Sequence, residues 1–142
     1  MNSKTKKVMA FGTFDLLHAG HVHFLTEAKK FGDRLIVALA SDEVVLLLKG
    51  ALPFNVFSMR FLNLAGLKLA DEIVAGDEKP GSWSVLKSHK PDVVALGYDQ
   101  TELAAKLKKF LIKNRISIKL VYVGPSEGNK LHSSILRSKM LK

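Results

Sequence analysis

The stretch KKVMAFGTFDLLHAGHVHFLTEAKKFGDRLIVALAS, residues 6–41, decides the fold. It begins with a short apolar run closed by a glycine, KKVMAFG (6–12), which has the character of a strand. A turn rich in glycine and histidine leads into AGHVHFLTEAKKFG (19–32), where Val22, Leu25 and Ala28 recur at helical spacing and Gly32 supplies the stop. DRLIVALAS (33–41) is again apolar almost throughout, as a strand covered on both faces must be. Two such strands joined by a helix form a parallel βαβ unit.

The alternation continues along the chain. DEVVLLLKG (42–50) is a short helix or turn, ALPFN (51–55) a loop, and VFSMRFLNLAGLKLA (56–70) a strongly apolar helix. DEIVAGD (71–77) is a short strand, GSWSVLKSHK (81–90) a helix, and PDVVALG (91–97) a strand opened by proline. QTELAAKLKKFLIKNR (100–115) is an amphipathic helix, ISIKLVYVG (116–124) a strand, and HSSILRSKML (132–141) a terminal helix. This pattern predicts an α/β fold: one doubly wound, five-stranded parallel sheet of Rossmann type, flanked by helices, in a single domain over residues 1–142. In such sheets ligands bind beyond the carboxyl ends of the strands, where the strand order reverses. Three loops therefore matter: Gly12–Gly20 after the first strand, Gly97–Gln100 after the fourth, and Gly124–Ser134 after the fifth.

Composition narrows the function classes. Hydrophobic residues make up 47% of the chain, enough for a core and too many for a disordered protein. There is no cysteine, which excludes disulfides, thiolate metal sites and a cysteine nucleophile. No segment reaches the roughly 18 apolar residues of a membrane span, and no secretory signal is visible, so a cytoplasmic protein is expected. The net charge of +9 divides unevenly, as +3 over residues 1–7, −2 over 8–100 and +8 over 101–142. AAKLKKFLIKN reads as a solvated lysine-rich helix face, and no nucleic-acid motif accompanies it; nucleotides and phosphate esters are the expected anions.

The loop GTFDLLHAGH (12–21) concentrates the chemistry. His18 and His21, three apart at a helix start, can present both rings to one ligand. The helix N-terminus adds N–H groups and partial positive charge, and Gly12 and Gly20 leave room beside the backbone. His23 reads as polar surface, and the spacing of the three histidines is not that of a zinc site, so no protein-held metal is expected.

This loop resembles the G-[TS]-F-D-x-x-H-x-G-H signature of the nucleotidyltransferase superfamily, whose members include the cytidylyltransferases. LTEAKKFGDRLIVALASDE, KPDVVALGYDQ and LHSSILR are similar to further parts of the pattern. The nearest group by resemblance is the archaeal FAD synthases, which are FMN adenylyltransferases; the glycerol-3-phosphate cytidylyltransferases come next. The resemblance implies transfer of a nucleotidyl group from ATP to FMN, giving FAD and pyrophosphate, with a divalent metal ion (Mg, or Co or Mn) bound mainly through the nucleotide. It implies no nucleic-acid or membrane partner, and often a homodimer. The attacking phosphate is already an anion, so no general base is needed; the task is positioning and charge stabilisation. A nearby phosphate favours protonated imidazole, and His18 and His21 are expected to stabilise charge on the transferring group.

By the same resemblance Gly12, Thr13, Phe14, Ala19 and Gly20 line the nucleotide. Lys49 and Arg60 are candidates for the β- and γ-phosphates. Arg60 has a second reading, a salt bridge to Asp71 or Glu72. Asp99 stands either as a nucleoside contact or as a helix cap. Ser133 and Ser134, with His132 beside them, either hold phosphate or cap the last helix. Phe54, Trp83, Tyr98 and Tyr122 are candidate walls for a flavin ring.

The chain departs from the family in its second loop, where the aliphatic run Val44–Leu48 replaces polar positions. Together with the apolar helix over 56–67 it points to a homodimer interface. The alternatives are a CTP-dependent enzyme acting on glycerol 3-phosphate or a sugar phosphate, and a nucleotide-binding protein of little activity.

Overall fold

The computed structural model describes residues 5–125. Five strands, β1 (Lys7–Gly12), β2 (Arg34–Leu39), β3 (Glu72–Ala75), β4 (Val93–Gly97) and β5 (Lys119–Val123), pair in parallel in the order β3-β2-β1-β4-β5. The helices are α1 (Ala19–Lys29), α2 (Asp42–Lys49), α3 (Phe57–Gly66), α4 (Ser84–His89) and α5 (Thr101–Asn114). This is the doubly wound α/β architecture expected.

Period-two alternation sorts the strand side chains onto two faces. Val8, Ala10, Leu35, Val37, Val93 and Ala95 face a layer formed by Leu25 and Ala28 of α1 and Leu64 of α3. Met9, Ile36, Ala38, Val94 and Leu96 face the opposite layer, formed by Leu86 of α4 and Leu107 and Leu111 of α5. The central strands are covered on both faces, which is why their sequences are apolar throughout. Val22, expected on the inner stripe of α1, lies at the surface, while Leu25 and Ala28 carry the packing.

β5 is shorter than expected. Arg115 ends α5 in the left-handed conformation, and Ile116 N–H returns to Leu111 C=O, so residues 116–118 belong to the turn. The terminal helix expected over 132–141 lies outside the described residues.

The chain runs outward from β1 through β2 to β3, then crosses to β4 on the other side of β1. The order therefore reverses between β1 and β4, and the loops leaving those two strands face each other across the crevice.

Candidate active site

The loop from β1 to α1 is held in a conformation its residues would not adopt alone. Phe14 and Leu16 both have positive φ, 49° and 38°, a region costing about 1–2 kcal/mol for such side chains. Three tethers hold it there. The Phe14 ring is buried and lies so close over Gly12 that a Cβ at Gly12 would meet it at 2.6 Å. Asp15 accepts hydrogen bonds from the backbone N–H groups of Phe54 (2.5 Å) and Asn55 (3.0 Å). Arg60 donates from Nη1 to the Thr13 carbonyl at 2.9 Å.

His18 and His21 cap α1 reciprocally. Gly20 N–H donates to His18 Nδ1 at 3.0 Å, and His18 N–H donates to His21 Nδ1 at 3.2 Å. The rings lie 4.0 Å apart, and Phe14 packs against His21 at 5.4 Å. Each Nδ1 receives a backbone N–H, so the neutral ring carries its proton on Nε2. Both Nε2–H groups are thus left to donate to a ligand. A second proton on the His21 ring would break its cap bond. Burial, reinforced by His18 and Lys49 and opposed by Asp99, pushes the His21 pKa down to about 4. In the ligand-free chain His21 is therefore held toward the neutral form. The first-turn amides are also largely engaged, since the N–H groups of His21 and Val22 both reach the His18 carbonyl. Among the described residues Ala19 keeps the free first-turn N–H.

His23 is turned away from the pair. Its Nε2 bonds the Gly124 carbonyl at 3.1 Å, tying α1 to the chain leaving β5.

Lys49 ends α2, exposed, with Gly50 closing the helix at φ 80°. Its charge acts on His21, as does that of exposed Asp99 from the β4 loop. The charges of Lys49 and Asp99 are thus both felt at the His18–His21 pair. Asp99 does not cap α5; the N-cap is Gln100, and its side chain leaves the helix to bond elsewhere.

Arg60 departs from the expected phosphate contact. It is fully buried, and besides Thr13 it donates to Asp42 Oδ1 (2.6 Å) and the Asn55 carbonyl (2.9 Å). All three contacts point into the protein. Its salt-bridge partner is Asp42, because Asp71 is taken by Leu35 N–H and Lys29, and Glu72 by Arg34. Arg60 shapes the Thr13 loop from beneath. Asp15, Asp42 and Gln100 were missed by sequence reasoning; an acidic side chain inside a loop signals backbone amides to be satisfied, which is the cue Asp15 offered.

Of the flavin-wall candidates, Trp83 is buried against Phe11 and Phe110 and offers no free face, whereas Phe54, Tyr98 and Tyr122 are exposed. Ser133 and Ser134, with His132, lie outside the described residues. Among the described residues no three histidine or carboxylate side chains gather as metal ligands, and no helix is long and apolar enough to cross a membrane.

Comparison with known proteins agrees with this geometry. The chain is 40% identical over 124 residues to a FAD synthase of Thermococcus sibiricus, covering 87% of this chain and 84% of that one. It is 42% identical over 117 residues to a FAD synthase of Pyrococcus horikoshii, covering 81% and 78%. A crystal structure from Thermoplasma volcanium, titled a lipopolysaccharide core biosynthesis protein, superposes with a TM-score of 0.79 at 35% identity, over 87% of this chain and all of that one. The family model described as cytidylyltransferase-like matches residues 9–139. With its histidine-capped first helix at the switch point of a doubly wound sheet, the chain belongs to the cytidylyltransferase-like family.

Proposed function

We propose that the protein is an FMN adenylyltransferase, joining ATP and FMN to give FAD and pyrophosphate. The observation that carries the proposal is the pair of Nε2–H donors of His18 and His21, fixed by the helix cap and within the electrostatic reach of Lys49. The FMN phosphate attacks the α-phosphorus of ATP, and the bond to the pyrophosphate oxygen breaks. Donors fixed before the reaction stabilise the charge that builds on the α-phosphate without reorganising. Lys49 takes the departing polyphosphate. The relatives named FAD synthase support the choice of ATP and FMN.

A divalent ion fits this site as a passenger of the nucleotide. Asp15 and Asp42 are engaged by backbone amides and by Arg60, which leaves Asp99 as the exposed carboxylate at the crevice, too few for a protein cage. Bound with ATP, the ion would neutralise phosphate charge; Asp99 and water would complete its oxygen ligands.

The proposal extends to a homodimer formed by α2, α3 and their connecting loop. Leu47, Leu48, Leu52, Phe54, Val56 and Leu62 are all more than half exposed there. Lys49 is the one charged residue between Val44 and Met59, so this surface is almost wholly apolar. A cytoplasmic location belongs to the same proposal.

The test is pyrophosphate release with magnesium, cobalt or manganese, pairing ATP or CTP with FMN, glycerol 3-phosphate or no acceptor. Release with ATP and FMN alone, with FAD formed, is expected. Release with CTP and glycerol 3-phosphate would replace the proposal. Nucleotide binding without release under any pairing would make the chain a nucleotide-binding protein.

A further inference from the structure

The parallel ladder opens at the point where the nucleotide is proposed to bind. β1 pairs with β2 as far as Gly12 and Leu39, and β4 pairs with β5 as far as Gly97 and Val123. Between β1 and β4 the pairing stops two residues earlier, at Ala10 and Ala95. Phe11 C=O and Gly97 N–H are left facing a gap that backbone does not fill.

The side-chain amide of Gln100 fills it. Its Nε2 donates to the Phe11 carbonyl at 3.0 Å, and its Oε1 accepts from Gly97 N–H at 2.8 Å. The partners belong to neighbouring strands, so one amide takes the place of the missing ladder rungs. The Gln100 backbone N–H also closes onto the Gly97 carbonyl at 3.0 Å, fixing the turn that carries Tyr98 and Asp99. A Cβ at Gly97 would lie 3.0 Å from Asp99 Oδ1 and 3.5 Å from Gln100 Oε1, so glycine there gives both side chains room to fold back.

The arrangement forgoes a side-chain cap on α5. Gln100 is the N-cap residue of α5, yet its side chain makes no cap bond. Serine, aspartate or asparagine is the favoured choice at such a position. Here the side chain spans the crevice instead.

We infer that Gln100 is a positioning residue that sets the width of the crevice between β1 and β4. Through Phe11 it fixes the root of the Gly12–Gly20 loop, and through Gly97 it fixes the Asp99 turn. The two sides of the nucleotide site are thereby held in register. The inference rests on the nucleotide site proposed above, but not on the identity of the acceptor.

Three variants of the full chain test it. Gln100→Leu removes both bonds at nearly constant size. Gln100→Ser also removes both but gives α5 an ordinary cap. Gln100→Glu keeps an acceptor for Gly97 N–H and loses the donor to Phe11. Each is measured for melting temperature, for the Kd of Mg·ATP by calorimetry, and for kcat and KM with ATP and FMN. A misplacement of about 1 Å costs on the order of 10²-fold in rate. Gln100→Ser and Gln100→Leu are expected to lose that much in kcat/KM and about tenfold in ATP affinity, with Gln100→Glu between them and the wild type. Gln100→Ser is expected to melt at or above the temperature of Gln100→Leu while sharing its functional loss. That dissociation of stability from function is what a merely structural glutamine would not produce.

Kd and kcat/KM within about threefold of wild type in Gln100→Ser and Gln100→Leu would overturn the inference. So would losses that follow the melting temperature from variant to variant. If the wild type binds ATP but does not turn over FMN, the acceptor is wrong and the Kd values still decide for or against Gln100. If it binds neither ATP nor CTP, both proposals fall.

Discussion

Replacing Arg60 with methionine separates two roles that sequence alone leaves mixed. The guanidinium is fully buried and makes three hydrogen bonds, to Asp42, Thr13 and Asn55. Methionine fills most of the space but leaves two carbonyls and a carboxylate without their donor. Removing one partner of a buried ion pair costs about 3–5 kcal/mol. Asp42 remains 29% exposed and keeps the Phe57 N–H, which places the loss at the lower end, about 3 kcal/mol. For a domain of this size that lowers the melting temperature by roughly 10 °C. Arg60→Lys should fall between, since one ammonium cannot reproduce the fork that reaches all three oxygens. Adding Asp42→Asn to Arg60→Met should recover about 1–2 kcal/mol, because the stranded charge goes with it. The assay is urea unfolding at pH 7.5, run beside the KM for ATP. Arg60→Met with an unchanged unfolding midpoint and a KM raised tenfold or more would refute the reasoning. It would show the guanidinium reaching the nucleotide.

Four further outcomes follow from the same geometry. His18→Asn should keep a cap for α1 yet lose on the order of 10²–10³ in turnover, whereas His18→Ala should also lose about 1 kcal/mol of stability; equal turnover in His18→Asn and wild type would remove the imidazole from the chemistry. Folded His21 resists protonation until about pH 4, while unfolded His21 takes a proton near 6.5. The unfolded state therefore binds more protons in that window, and stability should fall as pH drops from 6.5 toward 4. Urea midpoints at pH 7.5 and 5 should differ less in His21→Gln than in wild type, and an identical difference would count against a half-buried ring that resists protonation. Lys49→Met, at an exposed helix end, should raise the KM for ATP about tenfold without moving the melting temperature; an unchanged KM would remove Lys49 from the site. Leu62→Lys should convert a species of twice the chain mass into one of single mass in light scattering, and a wild-type monomer would end the dimer proposal.

The strands and helices were legible because a sheet covered on both faces demands apolar strands, and glycine or proline punctuates their ends. The candidate site loop was picked out by its resemblance to the nucleotidyltransferase signature, with two histidines three apart at a helix start. Side-chain direction was not legible. An arginine in an apolar helix is equally consistent with a phosphate and with a buried carboxylate, and only packing brings Asp42 to it across 18 residues. The low proton affinity of His21 in the free chain was not legible for a related reason. The sequence shows imidazoles near a helix start but not that both Nδ1 atoms serve as caps. Asp99 and Gln100 differ by one position, the usual uncertainty of a helix boundary, yet that step separates a capping aspartate from a glutamine tying two strands.

The bonds from Asp15 to Phe54 and Asn55, and from Arg60 to Thr13 and Asn55, give the nucleotide loop and the apolar α2–α3 surface a common mechanical frame. Whatever grips Leu52, Phe54 or Val56 from outside bears on the same backbone that shapes the approach to His18. If the proposed dimer forms there, any effect of its formation on nucleotide affinity must be matched, by thermodynamic reciprocity, by an equal effect of nucleotide on dimer formation. Saturating nucleotide should tighten or loosen self-association by the same factor by which self-association changes nucleotide affinity. In a chain of 142 residues, the proposed catalysis and the proposed assembly would share one set of hydrogen bonds, so that a substitution at Asp15 or Arg60 would be felt by both.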